Sequence, residues 1–76
     1  MITETNEHYD YRMNVLIEKY GSDFLNKCEL YKSAEHQHLG YVQLLEWNGV
    51  AKRYRIKDGK GWIGWMDVLE LDNFVL

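Results

Sequence analysis

The 76-residue sequence predicts an α+β domain in which two N-terminal helices pack on a three-stranded antiparallel β-meander. Three observations carry this reading. Apolar residues recur at helical spacing up to about residue 35. Asn48–Gly49 and Asp58–Gly59 are two-residue pairs of the kind that turn hairpins, and they divide the remainder into three strands. Proline is absent, so nothing interrupts either pattern.

The first helix is placed at residues 6–20. Tyr9, Met13, Leu16, Ile17 and Tyr20 fall on one face, with acidic Glu4, Glu7 and Asp10 near the positive end of the helix dipole. Thr5 is the candidate N-cap, and Gly21 is placed to end the helix in the left-handed conformation. A second helix is placed at 23–35, where Phe24, Leu25, Cys28, Tyr31 and Ala34 keep helical spacing and Ser22 or Asp23 caps the start. Residues 35–40 form a polar connector.

Strands follow at about 40–47, 50–57 and 60–71, the last with a break near Asp67. Two-residue turns would set the register. Trp47 then opposes Val50, Gln43 opposes Tyr54, and Tyr54 opposes Ile63. On this register the core joins Met13, Leu16, Ile17, Tyr20, Phe24 and Cys28 to Leu45, Trp47, Tyr54, Ile56, Ile63 and Trp65. The opposite sheet face carries Val42, Leu44, Glu46, Arg53, Arg55, Lys57, Trp62, Gly64 and Met66.

Residues 1–76 are read as a single domain. So short a chain buries only about 60–65% of its extended surface. Its stability is expected near 4–11 kcal/mol, from about 0.05–0.15 kcal/mol per residue. Three Trp, six Tyr and two Phe supply the large side chains such a core needs. One cysteine, Cys28, cannot close an internal disulfide, which favours a reducing, cytoplasmic setting. The N-terminal residues lack the basic and apolar regions of a secretory signal, and no apolar run suits a membrane span.

The net charge of −3 is unevenly spread. Residues 1–48 carry −4, residues 49–60 carry +4, and residues 61–76 carry −3. The basic segment holds Lys52, Arg53, Arg55, Lys57 and Lys60 against Asp58. This pattern is either an ordinary solvated surface or a polarised one built for a charged partner.

Residues 53–71, RYRIKDGKGWIGWMDVLEL, resemble the closing half of SH3-like barrels. In those barrels a basic or aromatic strand passes through a glycine-containing turn into a Gly-Trp-Ile/Val strand, then a short helical turn before a last, valine-containing strand. Asp58, Gly59, Lys60, Gly61, Trp62, Ile63 and Val68 match this pattern. Gly64 stands in place of the usual proline and Asp67 in place of the usual tyrosine. The resemblance covers about a quarter of the chain and implies a tightly turned β-structure. It does not carry proline-rich peptide binding with it.

Catalytic constellations are weak. His36 and His38 are the nearest approach to a metal site, but they share a face only on a strand and need a further ligand such as Cys28 or Glu35. Cys28 sits on an apolar face between Lys27 and Glu29, a setting for a buried thiol rather than a nucleophile. There is no phosphate-cradling glycine loop and no nucleophile elbow. No enzyme activity, cofactor or metal is therefore expected.

The expected function is a non-enzymatic protein-binding module. Short, acidic, aromatic-rich and proline-free, the chain resembles in style the accessory proteins with which bacteriophages block host enzymes or defence systems by stoichiometric binding. The alternative is a small nucleic-acid binder using strand 52–57 and Trp62, which the net charge disfavours. The candidate partner-binding residues are Arg53, Arg55, Trp62 and Met66, with Val42 and Leu44 beneath. Arg55 is expected to stack on Trp62. A second candidate surface is acidic, around Glu7, Asp10 and Tyr11. The apolar tail Phe74-Val75-Leu76 is expected to pack on the domain or at a subunit interface, in a monomer or a homodimer.

Overall fold

The computed structural model describes the backbone of residues 3–76 and the side chains of residues 11–76. The side chains of Glu4, Thr5, Glu7, Tyr9 and Asp10 lie outside the described residues. Helix α1 spans Thr3–Tyr20, starting earlier than the sequence pattern implies, so Thr5 sits inside its first turn. Gly21 ends it as expected, with φ +109° and its N–H donating to the Ile17 carbonyl at 2.7 Å.

The fold is not two helices on a three-stranded meander. It is a five-stranded antiparallel sheet with α1 and one short helix: β1 (Ser33–His36), β2 (Gly40–Asn48), β3 (Arg53–Lys57), β4 (Ile63–Asp67) and β5 (Leu71–Val75), in the order β4-β3-β2-β1-β5. The expected second helix stops early. Helix α2 covers only Phe24–Lys27, tightens into a 3-10 turn at Cys28–Leu30, and opens into extended backbone at Tyr31. The buried Tyr54 hydroxyl donates to the Cys28 carbonyl at 2.6 Å, anchoring this turn to β3. Residues 33–35, assigned to the helix, become an interior strand because a partner strand pairs with them on each side. Ala34 pairs with Val42 of β2, and Glu35 pairs with both Tyr41 and Asp72. Tertiary pairing outweighs the weak helical preference of a four-residue stretch.

The third expected strand does break after Asp67, into a 3-10 turn at Val68–Glu70 in which the Asp67 carboxylate accepts the Leu69 N–H at 2.9 Å. The tail then packs on the domain as β5, with Phe74 buried against Tyr20, Phe24 and Tyr31.

Neither hairpin uses the expected two-residue turn. Asn48 pairs with Arg53, leaving residues 49–52 as the loop. The Asn48 side-chain carbonyl accepts the N–H groups of Val50 and Ala51, and Lys52, not Gly49, takes the left-handed conformation at φ 56°. The second loop repeats this arrangement. Asp58 accepts the N–H groups of Lys60 and Trp62, and Gly61 takes φ +92°.

These longer loops change the register. Trp47 faces Tyr54, Leu44 faces Ile56, and a bulge at Leu45 separates the two pairs. Tyr54 faces Met66 and Ile56 faces Gly64. Consequently Val42, Leu44, Tyr54, Ile56 and Met66 point inward and join Leu16, Phe24, Cys28, Tyr31, Ala34, Val68, Leu71 and Phe74 in the core. Met13, Tyr20 and Trp47 pack against it as expected, Trp47 with its ring centroid 4.6 Å from that of Tyr54. Leu45, Ile63 and Trp65, expected in the core, are instead exposed.

A polar strap holds α1 to the last strand. Arg12 donates to the Leu69 and Leu71 carbonyls, each at 3.3 Å. Lys19 reaches Asp72 at 2.9 Å, while Tyr20 donates to Asp72 and accepts from the Phe74 N–H at 3.0 Å.

Candidate interaction surface

The expected basic patch is partly assembled and partly dispersed. Arg53 and Arg55 lie on the outer face of β3, away from the helices. Met66 does not join them. It lies on the inward face at 9% exposure, as do Val42 and Leu44, because the observed register inverts the assigned face. Trp62 is half-exposed just before β4, but its indole fills the space a Gly64 Cβ would occupy. Gly64 shares the inward phase of Ile56, so Trp62 folds over the sheet margin on the side away from Arg55. The Arg55–Trp62 stack is therefore not formed. Arg55 stands between Glu46 and Trp65, and Arg53 lies across from Asp67. On the second candidate surface Tyr11 is exposed on α1, whereas the side chains of Glu7 and Asp10 lie outside the described residues.

Three of the residues that sequence reasoning missed, Leu45, Ile63 and Trp65, are ones it placed in the core. Tyr41, Leu45, Ile63 and Trp65 project from the outer face and are 40–56% exposed. Two cross-strand rows organise that face. Gln43, Lys57 and Ile63 form one, and Glu46, Arg55 and Trp65 form the next. Tyr41 adjoins the first row from β2, and the bulged Leu45 sits between them. The result is an apolar and aromatic surface interleaved with Arg53, Arg55 and Lys57. Hairpin pairs with longer Asx-type loops, read with the alternation of residues 53–57, would have signalled this parity.

A concavity of about 740 Å³ lies beside the strap, lined in part by Arg12, Glu35, His36, Glu70 and Asp72. Its polar groups are largely committed to structure. His36 Nδ1 accepts the N–H groups of His38 and Leu39, and its Nε2 faces Glu70 at 3.6 Å. Glu35 accepts from the Asn73 amide at 2.7 Å. Among the described residues, no cluster of His, Cys, Asp and Glu has the arrangement of a metal site. Cys28 is fully buried, and burial pushes its thiol above the ordinary value.

Among the described residues no helix is long and apolar enough to cross a membrane. Comparison with family models, curated proteins and solved structures returns no match to this chain.

Proposed function

We propose that this chain is a non-enzymatic protein-binding module that acts by covering a partner's surface with the outer face of its sheet. The observation that carries the reading is the set Tyr41, Leu45, Ile63 and Trp65, exposed together and bordered by arginine and lysine. Grouped apolar side chains on an otherwise charged surface mark interaction sites, and Trp, Tyr and Arg are the types that dominate binding energy there. A stoichiometric inhibitor is one protein that works in this way. Full burial of the single thiol Cys28, with no second cysteine to pair with, supports a reducing, cytoplasmic compartment.

An SH3-like reading of the architecture draws support from two features. The Gly61-Trp62-Ile63 unit leads into β4, and a helical turn at Val68–Glu70 precedes the last strand. Val68 falls within that turn rather than in the strand after it.

The test compares the wild type with the double variant Arg55→Ala, Trp65→Ala by quantitative affinity capture from native host lysate. Both side chains are exposed, so the variant is expected to fold. Loss of a protein partner by a variant with an unchanged circular-dichroism spectrum supports the reading. Equal capture by both proteins overturns the assignment of this face. Tight, steeply salt-dependent retention on heparin would point instead to nucleic acid.

A further inference from the structure

We infer that the free edge of β4 accepts an extended acidic polypeptide segment as a sixth strand. The inference rests on the protein-binding reading above and names the chemistry of the partner.

The two edges of the sheet are built differently. The β5 edge is guarded: its pairing with β1 shifts register between Ser33 and Glu35, Asn73 adopts φ 48°, and the α1 strap ties down residues 69–74. These are devices that keep an edge from recruiting another chain. The β4 edge has none of them. Residues 63–67 pair with β3 without a shift, contain no proline and no lysine, and bear exposed Ile63 and Trp65.

The hydrogen-bond phase of this edge follows from its two ends. The Asp58 N–H donates to the Trp62 carbonyl, and the Val68 N–H donates to the Lys52 carbonyl. Antiparallel pairs alternate between bonded and non-bonded, so Gly64 and Met66 exchange bonds with β3. Ile63, Trp65 and Asp67 then aim their N–H and C=O groups outward, and no described residue beyond the sheet bonds to them. An incoming strand meets three donors and three acceptors beside two apolar side chains, the arrangement used in strand addition.

Charge selects the occupant. Arg55 and Lys57 stand one strand in from the edge on the same outer face, and Lys60 lies in the loop at the Ile63 end. An added strand would run about 10 Å from β3, two strand spacings, a span that an arginine and a glutamate bridge together. The only carboxylate of β4 is Asp67, at the far end. Acidic residues are therefore favoured at the Ile63 end of the added strand. A second copy of this chain, paired antiparallel about Trp65, would bring a single carboxylate, its Asp67, to that end, where an acidic segment brings several.

The probe is a fluorescein-labelled peptide alternating glutamate and valine, read by anisotropy against the full chain. Controls are the lysine–valine peptide and a glutamate–valine peptide N-methylated at alternate residues. The expected result is binding of the acidic peptide at least about tenfold tighter than either control. Slowed amide exchange at Ile63, Trp65 and Asp67 is expected on binding. If N-methylation has no effect, the edge proposal fails. Should that binding still be lost in Arg55→Ala, Trp65→Ala, the outer face remains a protein site and the reading above survives. Absence of binding by the acidic peptide also overturns the proposal. So does self-association in sedimentation that Trp65→Pro abolishes, which would give the edge to a second copy.

Discussion

Replacing Tyr54 with phenylalanine removes one oxygen from the centre of the fold. Tyr54 is 1% exposed, and its hydroxyl donates to the Cys28 carbonyl at 2.6 Å, joining β3 to the 3-10 turn that ends the helical part of the chain. Burial is the main reason this phenol's pKa is driven far above its ordinary value, so it stays a neutral donor. In Tyr54→Phe the ring keeps its packing on Trp47, but the carbonyl loses its short bond and retains only the Tyr31 N–H at 3.4 Å. An unsatisfied buried acceptor costs about 1–3 kcal/mol. Because the longer contact remains, we expect a loss of about 1–2 kcal/mol. For a domain of this size that lowers the melting temperature by roughly 5–15 °C. Urea melts followed by circular dichroism measure it, and amide exchange at residues 28–31 should accelerate more than elsewhere. A loss below about 0.5 kcal/mol with an unchanged denaturant slope would refute the idea that this bond anchors the turn.

Two further predictions concern the last strand. Phe74 is buried and its ring meets those of Tyr20, Phe24, Tyr31 and Tyr54, so Phe74→Ala should cost about 3–5 kcal/mol in denaturant melts; less than about 1 kcal/mol would mean the tail is not part of the core. At Asp72 partial burial pushes the carboxyl up, but the Lys19 hydrogen bond, the Asn73 N–H and the Lys19 and Arg12 charges outweigh it and hold the group below its ordinary value. A depressed folded-state value stabilises the fold above the unfolded value of about 3.9, and that contribution fades as pH falls through the folded one. Asp72→Asn should therefore melt below the wild type at neutral pH, with the gap closing under acid. A gap that is the same at pH 7 and pH 2 would refute the assignment.

Local signals in the sequence were strong where one element decided its own structure. The helix α1, its end at Gly21, the break after Asp67 and the burial of Leu16, Phe24, Cys28, Tyr54 and Ile56 were all legible, whereas Ile17, expected in the core beside Leu16, is only partly buried. The signals failed where a distant partner decided. Tyr31 and Ala34 fit a helical period, and both are buried, but Ala34 is buried within a strand paired to Val42 of β2, and Tyr31 by packing on the rings of Tyr20, Phe24 and Phe74. Nothing within residues 23–35 reveals that the C-terminal Leu71–Val75 returns beside them.

The location of the interaction surface turned on two asparagine-type side chains. Asn48 and Asp58 each begin a loop and hold it by accepting two backbone N–H groups, so the strands resume later than a glycine-led turn would allow. In the second hairpin Ile56 faces Gly64 rather than Gly61, an offset of three residues, and an odd offset exchanges the two faces of the partner strand. In the first hairpin the bulge at Leu45 performs the same exchange within β2. Together they bring Met66, Val42 and Leu44 inward and send Trp65, Ile63, Tyr41 and Leu45 outward. Arg53 and Arg55 stay outside under either register, because Tyr54 and Ile56 between them are the buried members of an alternating strand. The basic half of the surface was therefore readable from one strand's alternation. Its aromatic half depended on loop geometry that only the folded hairpins express.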